Sequence, residues 1–87
     1  MPYQIRIDRD ALKTLTALSV KLRRQIGAKI DSLGNNPFPP GCKKLDDDLY
    51  RIRSGDYRIV YTVIQKQILI CVLRIGDRKE VYKHLPR

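Results

Sequence analysis

Tyr50-Arg51-Ile52-Arg53-Ser54-Gly55-Asp56-Tyr57-Arg58-Ile59-Val60-Tyr61 is the stretch on which the fold of this 87-residue chain turns. It has the pattern of a strand, a tight turn and a second strand. Arg51 and Arg53 are two apart, so on an extended chain they leave from one face while Tyr50 and Ile52 leave from the other. Ser54-Gly55-Asp56 supplies turn chemistry: glycine is free to take positive φ, and aspartate can hydrogen-bond its own backbone. Arg58, Tyr57 and Tyr61 then open a β-branched run. A hairpin gathering three guanidiniums and several phenols suits phosphates and bases.

Working outward, Gln65-Lys66-Gln67 is a short connection to Ile68–Ile75. Short connections imply antiparallel neighbours. The last strand is almost unbrokenly apolar, which predicts an interior position with both faces covered. Upstream, Asn35-Asn36-Pro37-Phe38-Pro39-Pro40-Gly41 is a loop, since its prolines remove backbone donors. Lys43-Lys44-Leu45 follows, and Asp46-Asp47-Asp48 reads as a turn, a counterweight to the arginines or a source of a carboxylate.

Leu22, Ile26, Ile30 and Leu33 recur at helical spacing, with Lys21, Arg23, Arg24 and Lys29 on the other faces as an ordinary solvated surface. Ser19 is the expected N-cap and Gly34 the expected end. Before it, Ala11, Leu12, Leu15 and Leu18 stripe a first helix, with Asp8 as its cap. Tyr3-Gln4-Ile5-Arg6-Ile7 alternates as a half-buried strand. The whole predicts one α+β domain over residues 1–87. An N-terminal strand and a helix hairpin precede a mainly antiparallel sheet, the two helices pack on one face, and the first strand joins by a crossover.

The chain is 43% hydrophobic, enough for a core, and carries a net charge of +9 from 18 Lys+Arg against 9 Asp+Glu. That imbalance favours a polyanionic partner. No apolar run approaches the roughly 20 residues of a membrane span, the basic residues are not confined to one amphipathic helix, and Met1-Pro2-Tyr3 does not open a signal peptide. A cytoplasmic protein without a membrane partner is the expectation. Cys42 and Cys71 read as free thiols, and a single histidine, His84, with no paired cysteine spacing gives no reason to expect a metal or other cofactor.

RNA can be cut without a cofactor, because its own 2′-hydroxyl can attack the adjacent phosphate. The protein must align the attack, move protons and stabilise the phosphorane. Arginines suit the charge and tyrosines suit stacking. Arg78 and Tyr82, four apart in the tail, share a side whether that segment is helical or extended. The same arginines could equally decorate a strand face or pair with Asp46–Asp48.

Lys44-Leu45, Tyr50-Arg51-Ile52-Arg53, Gly55-Asp56-Tyr57-Arg58-Ile59-Val60-Tyr61 and Arg74-Ile75-Gly76-Asp77-Arg78-Lys79-Glu80-Val81-Tyr82 shift that balance. In this order they resemble the RelE branch of the RelE/ParE toxin family, a likeness that covers nearly the whole chain. The resemblance implies a toxin of a toxin–antitoxin pair, a metal-independent endoribonuclease that cuts mRNA in the A site of the 70S ribosome. Its partners would be a small cognate antitoxin, the A-site mRNA and ribosomal RNA.

Carried over by motif, Arg58, Arg78 and Tyr82 would be catalytic. Arg51, Arg53, Lys44 and Tyr61 would bind RNA or phosphate. Well-known members have lysine at the two positions held here by Arg51 and Arg53, and a guanidinium is a poor proton carrier. The base must then be Tyr82, Glu80, Asp77, one of Asp46–Asp48, or a ribosomal group. Two other functions share the fold: a ParE-like inhibitor of DNA gyrase, and a non-catalytic RNA- or protein-binding relative.

Overall fold

The computed structural model describes residues 2–82. In chain order it contains β1 (Gln4–Ile7), α1 (Arg9–Ala17), α2 (Val20–Leu33), β2 (Lys43–Asp46), β3 (Leu49–Ser54), β4 (Tyr57–Ile64) and β5 (Leu69–Gly76). Two 3-10 turns, Gln65–Gln67 and Lys79–Tyr82, complete it. The five strands form one sheet in the order β1-β5-β4-β3-β2. β1 lies parallel to β5, and every other pairing is antiparallel. The expected α+β architecture is the observed one.

The helices are held by their apolar stripes. Ala11 and Leu15 of α1 and Ile26, Ile30 and Leu33 of α2 are buried against Ile52, Ile59, Tyr61, Val63, Ile70, Val72 and Ile75 of the sheet. Ser19 caps α2, its hydroxyl accepting the Leu22 N–H at 3.3 Å. Asp8 occupies the cap position of α1 but makes no side-chain capping bond there, contrary to expectation. Gly34 does end α2, yet in a right-handed conformation (φ −59°) and not a left-handed one. Its carbonyl receives the Tyr3 N–H at 2.7 Å, which ties the entry of β1 to the exit of α2.

The β3–β4 hairpin turns through Gly55 and Asp56, with Gly55 at φ 61°. Positive φ at the first central residue alone is the pattern of a II′ turn, which matches the right-handed twist of the flanking strands. β2 is a strand that the alternation rule did not predict, because all four of its residues are exposed. It pairs with β3 at the sheet edge and ends in a bulge between Lys44 and Asp46.

A second bulge lies between Val60 and Tyr61 of β4 and β5, where Val60 pairs with Arg74 and Tyr61 with Val72. Such an insertion re-aims side chains. Leu73 packs with Leu49 and Val60 on the face away from the helices, and Val81 and Tyr82 of the second 3-10 turn settle on that small cluster. β5 is therefore covered on both sides, as its composition predicts. No helix among the described residues is long and apolar enough to cross a membrane.

Candidate RNA-binding face

Cross-strand partners in an antiparallel ladder project from the same side of the sheet. Arg53 is paired with Arg58, and Arg51 with Val60. Since Val60 belongs to the cluster opposite the helices, Arg51, Arg53 and Arg58 all stand on that open face. The phenols of the hairpin do not. Tyr50 and Tyr57 pack against the helix-side core, and Tyr61 is fully buried within it.

Two of the predicted binding residues are placed elsewhere. The Tyr61 hydroxyl donates to the Pro37 carbonyl at 2.8 Å, and its ring stacks on Tyr50 at 5.9 Å between centroids. Burial first, then the adjacent Cys42, pushes the phenol far above its ordinary range. Tyr61 is a core residue, and the expectation that it touches RNA is corrected by its burial. Lys44 is exposed, but it pairs with Tyr50, whose side chain goes to the helix side. Its neighbour Lys43 is the residue opposite Arg51.

Besides the apolar contacts of Val81 and Tyr82, the tail meets the hairpin at a backbone group. Arg58 Nη1 donates to the Asp77 carbonyl at 3.1 Å, and Arg58 is also the strand partner of Gly76. Arg78 follows directly. With Arg74, Ile75, Gly76, Asp77 and Val81 it lines an open pocket of about 390 Å³ at the end of β5. Gly76 is needed for this approach, because a Cβ there would stand 3.3 Å from the Val81 Cβ. Tyr82 is half-buried on Leu49, Val60 and Leu73, so it shares the arginine face. Arg58, Arg78 and Tyr82 are thus gathered around the junction of β4, β5 and the last 3-10 turn.

Arg51 Nε is buried and has no hydrogen-bond partner among the described residues. A buried donor left unpaired costs roughly 1–3 kcal/mol, more on a charged group. A phosphate oxygen arriving at the fork can satisfy it, with the bidentate geometry that guanidinium favours. Arg74, beyond Val60, is half-buried; its Nη2 lies 3.6 Å from Asp10 Oδ2 and its Nη1 donates to the Leu73 carbonyl. Cys71 packs on the open-face cluster, but burial, with Asp8 nearby, raises its thiol, which leaves little thiolate at neutral pH. Among the described residues no cluster of His, Cys, Asp and Glu could hold a metal ion. His84 and the Glu80 side chain lie outside the described residues.

A small mixed sheet with two helices on one side and a row of arginines on the other defines a class of small basic α+β proteins. Comparisons with known proteins make the class specific. Residues 5–82 match the family model for the ParE toxin of type II toxin–antitoxin systems. A RelE-like protein of Escherichia coli is 34% identical over 94% of this chain and 92% of its own. The mRNA interferase toxin RelE of E. coli K12 is 30% identical with the same coverage. Among solved structures, a free E. coli RelE toxin mutant superposes with a TM-score of 0.80 at 31% identity, covering 94% of this chain and 92% of that one. The RelE of an archaeal RelE–RelB complex from Pyrococcus horikoshii gives 0.78 at 30% identity, covering 91% and 98%. The chain belongs to the RelE/ParE toxin family, on its RelE branch.

Proposed function

We propose that this toxin is a ribosome-dependent endoribonuclease that cleaves mRNA in the A site and so stops translation. The observation that carries the proposal is the meeting of Arg58 with the tail carbonyl of Asp77, which brings the hairpin arginines, Arg78 and Tyr82 to one end of one face. Relatives named as mRNA interferases, 30% identical along nearly the whole chain, support it.

The 2′-hydroxyl attacks the adjacent phosphorus, the bond to the 5′ oxygen breaks, and a 2′,3′-cyclic phosphate and a 5′-hydroxyl result. Arg51 and Arg53 clamp the phosphate backbone, and Arg58 binds the reacting phosphate and spreads the phosphorane charge. Arg78 adds positive potential on the leaving side. Tyr82, packed on the apolar cluster, stacks on a base and orients the nucleotide. No step in this scheme calls on a metal. Because no group of the face is an evident strong base, geometry imposed by the ribosome carries much of the rate, and free RNA is a poor substrate.

The inhibitor is a small cognate antitoxin, a partner supported by the solved complexes of E. coli and Pyrococcus RelE with RelB, and its binding would cover the basic face. Primer extension on mRNA programmed into 70S ribosomes tests the proposal. Codon-phased cuts by the wild type, lost in Arg78→Ala, strongly reduced in Tyr82→Ala and largely kept in Tyr82→Phe, are expected. The family model is named for ParE, so gyrase is the second target to assay. Intact mRNA together with trapped gyrase–DNA breaks would overturn the nuclease reading.

A further inference from the structure

β1 ends at Ile7, the partner of Val72, so Arg74 stands two residues beyond the strand that flanks β5 on that side. It pairs with Val60 beside the bulge, and Ile75 next to it turns to the helix-side core. Arg74 therefore leaves from the arginine face. Past the end of β1 its guanidinium reaches round to the first turn of α1, where Nη2 lies 3.6 Å from Asp10 Oδ2. An ion pair of that length, with a carboxylate side chain that is 66% exposed, holds weakly and yields to a stronger anion.

We propose that Arg74 binds the phosphate one step 3′ of the cleaved one, an inference that rests on the cleavage reading above. Arg58, on the reacting phosphate, is the strand partner of Gly76. Arg74 stands two residues along β5 from that glycine, about 6.6 Å, which is on the scale of one nucleotide step in an extended strand. Arg74 and Arg78 together line the open pocket of about 390 Å³ at the end of β5, so this pocket takes the RNA on the leaving side. Asp77 also lines it, and the two guanidiniums outweigh that one carboxylate. A guanidinium carries five N–H donors. The bond from Nη1 to the Leu73 carbonyl can therefore persist and brace the fork while Nη2 exchanges Asp10 for a phosphate oxygen.

Changing the residue and the phosphate together provides the test. Wild type, Arg74→Gln and Asp10→Asn are compared by kcat/KM on ribosome-bound mRNA, either normal or with an uncharged methylphosphonate one step 3′ of the cleaved linkage. On normal mRNA, Arg74→Gln is expected to lose at least about tenfold, the scale of one hydrogen bond to a charged group. Wild type should lose as much on the methylphosphonate, and Arg74→Gln should lose little more there. Asp10→Asn should stay within about twofold of wild type. Thermal denaturation confirms that the variants fold. Arg74→Lys, which keeps the charge without the fork, is expected to fall between and serves if Arg74→Gln does not fold. Losses from residue and phosphate that multiply would mean that the two do not touch, and would overturn the assignment. So would a wild-type rate in Arg74→Gln, or an equal loss in Asp10→Asn, which would leave Arg74 as a brace for α1. Wild-type protein that leaves normal mRNA intact would instead overturn the cleavage reading, and the phosphate contact with it.

Discussion

Arg58 donates a hydrogen bond to the backbone carbonyl of Asp77, and through that bond the hairpin holds the tail. The guanidinium therefore anchors residues 77–82, and the proposed cleavage gives its remaining donors a second task, meeting phosphate. Arg58→Lys keeps the charge but loses the fork. It is expected to slow mRNA cleavage by at least about tenfold and to raise amide exchange at Val81 by about fivefold, the equivalent of one net hydrogen bond of about 1 kcal/mol. Single-turnover cleavage and hydrogen-exchange mass spectrometry read the two effects separately. Unchanged exchange would mean that the tail is held by its apolar contacts alone.

Gly76→Ala probes the same junction from the other side. The added methyl would stand 3.3 Å from the Val81 Cβ, so the 3-10 turn must move outward by a few tenths of an ångström. A stability loss of about 1 kcal/mol is expected. The fall in cleavage should be larger, roughly tenfold, because small displacements of positioning groups weigh heavily on rate. Urea denaturation and kinetics together distinguish this from general unfolding.

Tyr61 makes the fold sensitive to alkali. Burial raises its phenol, so the folded protein holds that proton more tightly than the unfolded chain does. Its contribution is complete below the unfolded pKa of about 10 and is lost as pH rises above it toward the folded value. Denaturation midpoints should therefore fall as pH is raised above about 10. In Tyr61→Phe that part of the slope disappears. At neutral pH the same variant should be less stable by about 1–3 kcal/mol, since the buried Pro37 carbonyl loses its donor.

Ile68 ends the β4–β5 connection at φ 51°, ψ 50°, a left-handed conformation that a β-branched residue adopts only with strain, and the residue is 42% exposed. Ile68→Asn should raise stability by about 1 kcal/mol, because little packing is lost and asparagine tolerates this region. For a domain of this size that is roughly 4–8 °C in melting temperature. Ile68→Val, still β-branched, should give no gain. Calorimetry of the two variants decides whether the conformation or the side chain sets the cost.

Much of this was legible in the residues. The α2 stripe, the Ser19 cap and the hairpin around Gly55 follow from local periodicity and turn chemistry, and they appear where those rules put them. β2 was not legible, because an exposed edge strand has no alternation to read and exists through its partner β3. That omission also hid Lys43, since a one-residue difference in register decides which lysine shares the arginine face. The burial of Tyr61 did leave a signal. It alternates with Ile59 and Val63, and the same parity that sends those two inward sends the tyrosine with them.

The parallel pairing of β1 with β5 joins residue 4 to residue 69, so the sheet closes only when the two ends of the described chain meet. Closing so long a loop delays that pairing behind the local β3–β4 hairpin and the helix pair. Until β1 docks, β5 is an open apolar edge, the kind of surface on which chains join one another. The order of assembly, as much as the final contacts, governs how cleanly this toxin reaches its working form.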